Sequence, residues 1–290
     1  MDLATFLVQC LNAVQYGLLL FLVASGLTLI FGIMGVINLA HGSFYMIGAY
    51  LAFVLAPWFG DWYLSKLLAG VILAAVFGYL LEWAFFSFLY QRDHLQQVLM
   101  TYALILVFEE LRSLTVGNDV HGVQAPSWLA GGFPLGELMS YPWYRVFASV
   151  ACVLLAAALY WVVNRTKLGM MIRAGASNRD MVRGLGIDIQ RLYRIVFAGG
   201  VALAALAGMI AAPLSSVYPN MGGSVLIICF VVVVIGGIGS ISGALIASLL
   251  VGFVDTFGKV FFAEYSGIGV YLLMAVILVW RPEGLMKRSY

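Results

Sequence analysis

The chain predicts an all-α fold, a polytopic transmembrane bundle, and three observations carry that prediction. Of its 290 residues, 63% are apolar and only 10% charged, whereas charged residues make up about a quarter of a soluble domain. The mean hydropathy is +1.03. The apolar residues gather into runs, most of them long enough to cross hydrocarbon as a helix of roughly 20 residues. Residues 1–290 are therefore expected to form a single transmembrane domain of about eight or nine segments, some broken by glycine. Little chain is left for a soluble catalytic or nucleotide-binding domain.

Apolar runs fall near residues 8–33, 37–58, 66–90, 96–114, 143–163, 193–213, 223–258 and 267–281. The first is preceded by no Lys or Arg, so it lacks the basic start of a cleavable signal peptide and is expected to stay in the mature protein. It ends in Gly32-Ile33-Met34-Gly35, with Asn38, His41 and Gly42 just beyond. The third run carries Glu82 beside Trp83, toward its cytoplasmic end, where a structural or interfacial role is expected. The fourth ends in Glu109, Glu110 and Arg112, which read as a solvated interfacial cluster. The run 223–258 is too long for one perpendicular helix at about 1.5 Å per residue. It breaks at Gly236, Gly237, Gly239, Ser240, Ser242 and Gly243. Trp58, Trp62, Trp128, Trp143 and Trp280 lie at run ends, as an interfacial aromatic belt requires. Cys10, Cys152 and Cys229 stand singly in apolar sequence and read as packing residues.

Charge sets the orientation. Arg165 to Arg194 hold seven of the fifteen Lys and Arg, and short basic loops remain cytoplasmic during insertion. With residues 165–194 inside, Val116 to Pro142 fall outside, Gln91 to Gln97 inside and the N-terminus outside. The tail residues Arg281, Lys287 and Arg288 also belong inside. Eleven basic residues then lie on the cytoplasmic side and four, Lys66, Arg112, Arg145 and Lys259, on the other. The segment 223–258 must start and finish outside. It either crosses twice around a cytoplasmic glycine turn or folds back as a re-entrant hairpin.

Two sets of residues are candidates for function. Gly-x-x-Gly occurs at 32/35 and at 236/239, and paired glycine breaks in the two halves of a membrane protein point to a transport path. Gly32, Gly35, Asn38, His41, Gly42, Gly236, Gly237, Gly239 and Ser240 are thus expected to line or gate it. Close helix packing is the competing reading of the glycines, and satisfaction of freed backbone carbonyls that of Asn38 and His41. In the basic loop, Leu168, Met171, Ile172, Gly175, Val182 and Leu185 recur at helical spacing, opposite Arg173, Arg179, Asp180 and Arg183. Asn178 reads as an N-cap, and Gly184 and Gly186 as a stop. Orienting the protein would not by itself require an apolar face, so the loop is expected to dock into a partner's groove. No Gly-x-x-x-x-Gly-Lys-Ser/Thr occurs, so no phosphate loop binds ATP in this chain and the energy is expected from partner subunits. His41, His94 and His121 have no metal-ligand or nucleophile-base spacing.

The stretch from Gly26 through Leu27, Thr28, Leu29, Ile30, Phe31 and Gly32 to Asn38-Leu39-Ala40-His41-Gly42 closely resembles the signature of the branched-chain amino acid permeases of ABC importers. The form is that of the shorter of the system's two permease subunits. The loop from Arg173-Ala174 to Leu185-Gly186-Ile187, the segment Ile235-Gly236-Gly237-Ile238-Gly239-Ser240-Ile241-Ser242-Gly243-Ala244 and the end Arg281-Pro282-Glu283-Gly284-Leu285 are similar too, so the likeness spans the chain. It implies a bacterial inner-membrane importer subunit. Its partners would be a related, longer permease, two cytoplasmic ATPases that bind the ATP, and an extracytoplasmic solute-binding protein. No cofactor, enzyme activity or nucleic acid is implied. Residues 169–187 would then be the coupling element, with Met171, Arg173, Asn178, Arg179, Val182, Arg183 and Leu185 at or near the ATPase. Arg173-Ala174-Gly175 departs from the Glu-Ala-Ala common in the coupling loops of other ABC importers.

Relatives of the family move urea or short amides, which is the alternative within the class. An ion-coupled secondary transporter would need Glu82, and a membrane enzyme would need a convergent His, Cys or carboxylate set that the sequence does not offer. The orientation predicts that a thiol engineered within 165–194 reacts with an impermeant reagent only after cells are permeabilised. Labelling in intact cells would refute it.

Overall fold

The computed structural model describes residues 3–90, 92–134 and 140–286; Lys287 and Arg288, assigned above to the cytoplasmic side, lie outside the described residues. The elements are α1 (Leu3–Met34), α2 (His41–Val54), a short α3 (Ala56–Phe59) and α4 (Tyr63–Leu81), which runs through a π turn (Glu82–Phe86) into α5 (Ser87–Leu89). Then come α6 (His94–Val116), α7 (Trp143–Arg165), α8 (Lys167–Ser177), α9 (Arg179–Gly184) and α10 (Ile189–Ser215). The chain closes with α11 (Met221–Gly236), α12 (Ile241–Phe261) and α13 (Ser266–Trp280). The expected helical bundle is present, with one addition. Ahead of α7, β1 (Gly132–Pro134) pairs antiparallel with β2 (Ser140–Pro142), setting Phe133 opposite Tyr141.

Among the described residues, five helices are long and apolar enough to cross a membrane: Leu3–Met34, Tyr63–Leu89, Trp143–Arg165, Ile189–Ser215 and Ile241–Phe261. Met221–Gly236 and Gly267–Trp280 are apolar but shorter. The run 37–58 does not become one spanning helix. Its regular part, α2, has 14 residues, about 21 Å at 1.5 Å each, against roughly 30 Å of hydrocarbon. The run 223–258 divides into α11 and α12, which meet at the glycine turn.

The core forms where α1 and α10 cross. Phe21, Leu22, Ile30 and Ile33 of α1 and Phe197 of α10 are fully buried. Phe197 collects Phe86 at 4.5 Å and Phe44 at 5.9 Å between ring centroids, and Phe44 meets Phe77 edge-on at 6.5 Å. Such tilted and edge-on pairs match the ring quadrupoles and bury large apolar areas. Around this cluster the helices approach until backbones touch. A Cβ on Gly48 would overlap the Ala205 carbonyl, one on Gly208 the Tyr45 carbonyl, and one on Gly42 the Gly222 carbonyl. In lipid, where burying apolar surface gives little drive for helices to associate, contact of this kind is what holds them together.

A second break separates α10 from α11, in the linker between the runs 193–213 and 223–258. Here Ser216 (φ 57°) and Asn220 (φ 66°) adopt left-handed backbone without being glycine. The sequence signals were Pro213, Pro219 and the Asn220 that follows it. Both long central helices therefore end in a break followed by a short helix, and the two short helices touch at Gly42 and Gly222.

Gly48→Leu is expected to reduce the yield of folded protein and to lower its thermal midpoint, because overpacking costs about 1–3 kcal/mol or more. Gly199→Ala, on an exposed helical position with nothing within 4 Å, should leave the midpoint unchanged or raise it slightly. Detergent-solubilised thermal melts of the two variants make the comparison.

Candidate functional site

The first break is built from Gly35 to Ala40. Gly35 takes φ 67°, and its N–H still reaches the Phe31 carbonyl at 2.9 Å. Asn38 is fully buried; its Oδ1 accepts from the Ala40 N–H at 3.0 Å, and its own carbonyl accepts from the His41 N–H at 3.3 Å. His41, also fully buried, places Nε2 3.0 Å from the Val23 carbonyl. Val23 lies about 16 Å along α1 from Met34, so α2 starts well inside the thickness of the bundle. Asn38 thus serves the broken backbone, whereas His41 ties the start of α2 to a carbonyl in the middle of α1. Neither lines the two cavities described below, and Gly42 is a packing contact.

The other glycine segment lies at the end of the molecule that carries α8 and α9. Gly236 packs backbone to backbone against Gly243, and Gly237 takes φ 96°. The C-terminal residues cover this turn, with the Leu285 N–H donating to the Ile235 carbonyl at 2.7 Å and the Met286 N–H to that of Gly236 at 3.2 Å. Ser240 Oγ caps α12 through the Gly243 N–H at 3.1 Å. Beside the turn lies a cavity of about 170 Å³ where Gly32, Gly239 and Ser240 meet Thr28, Asn164 and Arg173. Three of the expected path residues therefore share a cavity. Gly35 instead packs against Arg179, and Gly236 and Gly237 hold the hairpin.

The loop itself folds as two capped helices. Thr166 Oγ1 accepts from the Gly169 N–H at 3.2 Å, and Asn178 Oδ1, at the expected N-cap, accepts from the Met181 N–H at 3.0 Å. The apolar face is turned largely inward, which corrects its reading as a free docking stripe. Gly169, Ile172 and Gly175 are buried, Gly175 lies against Ile33 and Leu192, and Val182 is only 4% exposed. Met171 is half-buried. The exposed apolar side chains are Met170, Met181 and Leu185, at 63, 67 and 75%, with Arg183 also exposed. Inward alternation follows from anchoring: a loop without its own core must bury one face against the bundle to hold its shape.

Two arginines tie the loop to that bundle. The Arg173 guanidinium donates to the Val163 carbonyl, and Arg179 Nη2 donates to the Met34 carbonyl at 2.7 Å, the last residue of α1. Arg179 also lies over the Tyr193 ring, 6.0 Å from its centroid. Tyr193 meets Tyr90 at 4.9 Å, and the Tyr90 hydroxyl donates to Glu82 Oε1 at 2.6 Å. Glu82, fully buried in the π turn, has Arg194 Nε 3.4 Å from its Oε2. Its carboxylate is thus held by an arginine and a tyrosine where α4 passes into α5, a structural arrangement. Sequence patterning had identified neither tyrosine.

At the opposite end, a cavity of about 470 Å³ opens among α1, α7, α10 and α12. Arg145 Nη1 donates to Asn12 Oδ1 at 2.7 Å and to Gln15 Oε1 at 3.4 Å. Asp255 Oδ2 accepts from Lys259 Nζ at 2.6 Å, and Lys259 also sits over the Tyr16 ring at 5.5 Å. The rest of the lining is mainly aliphatic, with Leu19, Leu20, Val23, Ala211 and Val225, and includes Tyr45 and Ser215. Asn12 and Gln15 of α1 and Arg145 of α7 are far apart in sequence, so their meeting at one wall was not readable from local spacing. Among the described residues, no group of three or more His, Cys, Asp or Glu is placed to hold a metal ion.

Residues 9–279 match the family described as the permease component of the branched-chain amino acid transport system. The chain is 30% identical to the high-affinity branched-chain amino acid transport system permease protein BraD of Pseudomonas aeruginosa, over 98% of this chain and 96% of that protein. It is 27% identical to LivH of Escherichia coli, with the same coverage of both. The E. coli permease LivM is also similar, at 26% identity over 91% of this chain and 67% of its own length. No solved structure matches. With a matching segment that runs nearly from end to end, the chain belongs to the family of branched-chain amino acid transport system permeases.

Proposed function

We propose that this chain is one of two permease subunits of an ABC importer that carries branched-chain amino acids across the bacterial inner membrane. The observation that carries the reading is the end-to-end similarity to permeases named for that transport. The further similarity to LivM, a second permease of E. coli, supports a related permease as partner. Two ATPases on the cytoplasmic side supply the energy, and a solute-binding protein delivers substrate outside. Adding α2, α6, α11 and α13 to the five spanning helices gives about nine membrane segments, an odd number consistent with the N-terminus outside and the C-terminus inside.

In this reading the ATPases grip the exposed part of the loop, Met181, Arg183 and Leu185, as a helix laid in a groove. Motion of α9 passes to the end of α1 through the Arg179 contact with Met34, and to α4 and α10 through Tyr193, Tyr90 and Glu82. The Gly32, Gly239 and Ser240 cavity lies against the same segment and opens or closes with it. Partners shift such an equilibrium only as far as they bind its two states differently, so the isolated chain does not transport vectorially.

Leu185→Asp and Met181→Asp are expected to abolish co-purification of the ATPases while insertion is retained. Val182→Asp should instead destabilise the chain itself, since it buries a charge. Arg179→Ala removes a charge-assisted bond of about 1.5–3 kcal/mol. It should leave the ATPases bound while leucine uptake per ATP hydrolysed falls several-fold, measured in proteoliposomes of the whole complex. Uptake of urea in preference to leucine by the wild-type complex would overturn the assignment of substrate.

A further inference from the structure

The outer cavity has the chemistry of a zwitterion site. Its walls carry one anion and two cations, Asp255, Arg145 and Lys259, and the rest of its lining is mainly aliphatic, with Tyr45 beside it. Among the described residues Arg145 has no carboxylate partner; Asn12 and Gln15, whose amide oxygens it meets, are neutral. A guanidinium has five donors and suits a carboxylate presented edge-on. Asp255 is paired, but with a lysine whose side chain is 61% exposed while its own is 10% exposed. An ion pair with one partner that exposed contributes little, so a ligand ammonium can replace Lys259 at small cost. A volume of about 470 Å³ falls within the range of small-molecule pockets.

We infer that this cavity binds the head group of an α-amino acid, its carboxylate on Arg145 and its ammonium on Asp255, with the aliphatic side chain directed toward Leu19, Leu20 and Val23. The inference rests on the transport reading above and deepens it: the permease would select the head group itself, after release from the solute-binding protein. The net positive charge of the cavity favours a carboxylate-bearing solute over urea or a neutral amide.

The test is direct binding of radiolabelled leucine to the complete permease and ATPase complex in lipid nanodiscs, without the solute-binding protein. Wild type should bind leucine, and should bind leucinamide, which lacks the carboxylate, and 4-methylpentanoate, which lacks the ammonium, about 10- to 100-fold more weakly. Arg145→Gln should erase the preference for leucine over leucinamide, and Asp255→Asn the preference over 4-methylpentanoate. A merely structural role for either residue would not produce this split. If a variant fails to assemble, the competition series on wild type decides alone, and equal competition by all three compounds overturns the site. Leucine uptake by the wild-type complex with its solute-binding protein is measured in parallel. Uptake without direct binding overturns the cavity site and spares the transport reading. Head-group-selective binding without uptake supports the site and overturns that reading.

Discussion

Backbone polar groups freed within a membrane must find partners in the protein, because hydrocarbon offers none. The rest of this structure follows from that constraint at the Gly35–Ala40 break. Asn38 closes it from within, and Arg179 reaches in from the loop to cover the Met34 carbonyl. The second of these partners comes from a different part of the chain, so the loop of α8 and α9 helps to complete the broken helix. A displacement of the loop that withdraws Arg179 leaves a carbonyl short of a partner, which gives the loop leverage on the core.

The buried carboxylate extends the same logic. Glu82 sits where the helix widens into a π turn, and such turns collect at functional positions because they cost regular hydrogen bonding. Tyr90 and Arg194 hold it, and Tyr193 connects it to Arg179 through aromatic contact. Two stretches distant in sequence, residues 82–90 and 179–194, therefore meet at one end of the bundle. Replacing any member disturbs the others, since a buried charge deprived of its partner costs more than the pair contributes.

Much of the fold was legible in the sequence because hydrocarbon thickness leaves its mark as run length. The helices at 63–89, 143–165 and 189–215 follow directly from runs of spanning length, and the hairpin of α11 and α12 from a run too long for one crossing. What was not legible depends on tertiary partners. The linker after residue 213 was readable, but the left-handed backbone at Ser216 and Asn220 was not, because no glycine stands there to mark it. The face of α8 and α9 that looked like a docking stripe is spent on anchoring, because periodicity reports that a face is apolar and not what covers it. The polar wall of the outer cavity joins residues from α1, α7 and α12, whose proximity no local pattern encodes. Asn178 was readable because an N-cap is a purely local device.

The length of α1 has a consequence of its own. Its 32 residues extend about 48 Å, well beyond roughly 30 Å of hydrocarbon. At its N-terminal end Leu3, Phe6, Leu7 and Leu11 are exposed, and Gln9 and Asn12 line the cavity. Such a mismatch is taken up by tilt or by local stretching of the bilayer. Lipid chain length thereby becomes a control on the protein: a thicker bilayer stands α1 more upright and a thinner one leans it over, shifting the rim of the entrance with no change in the residues that form it.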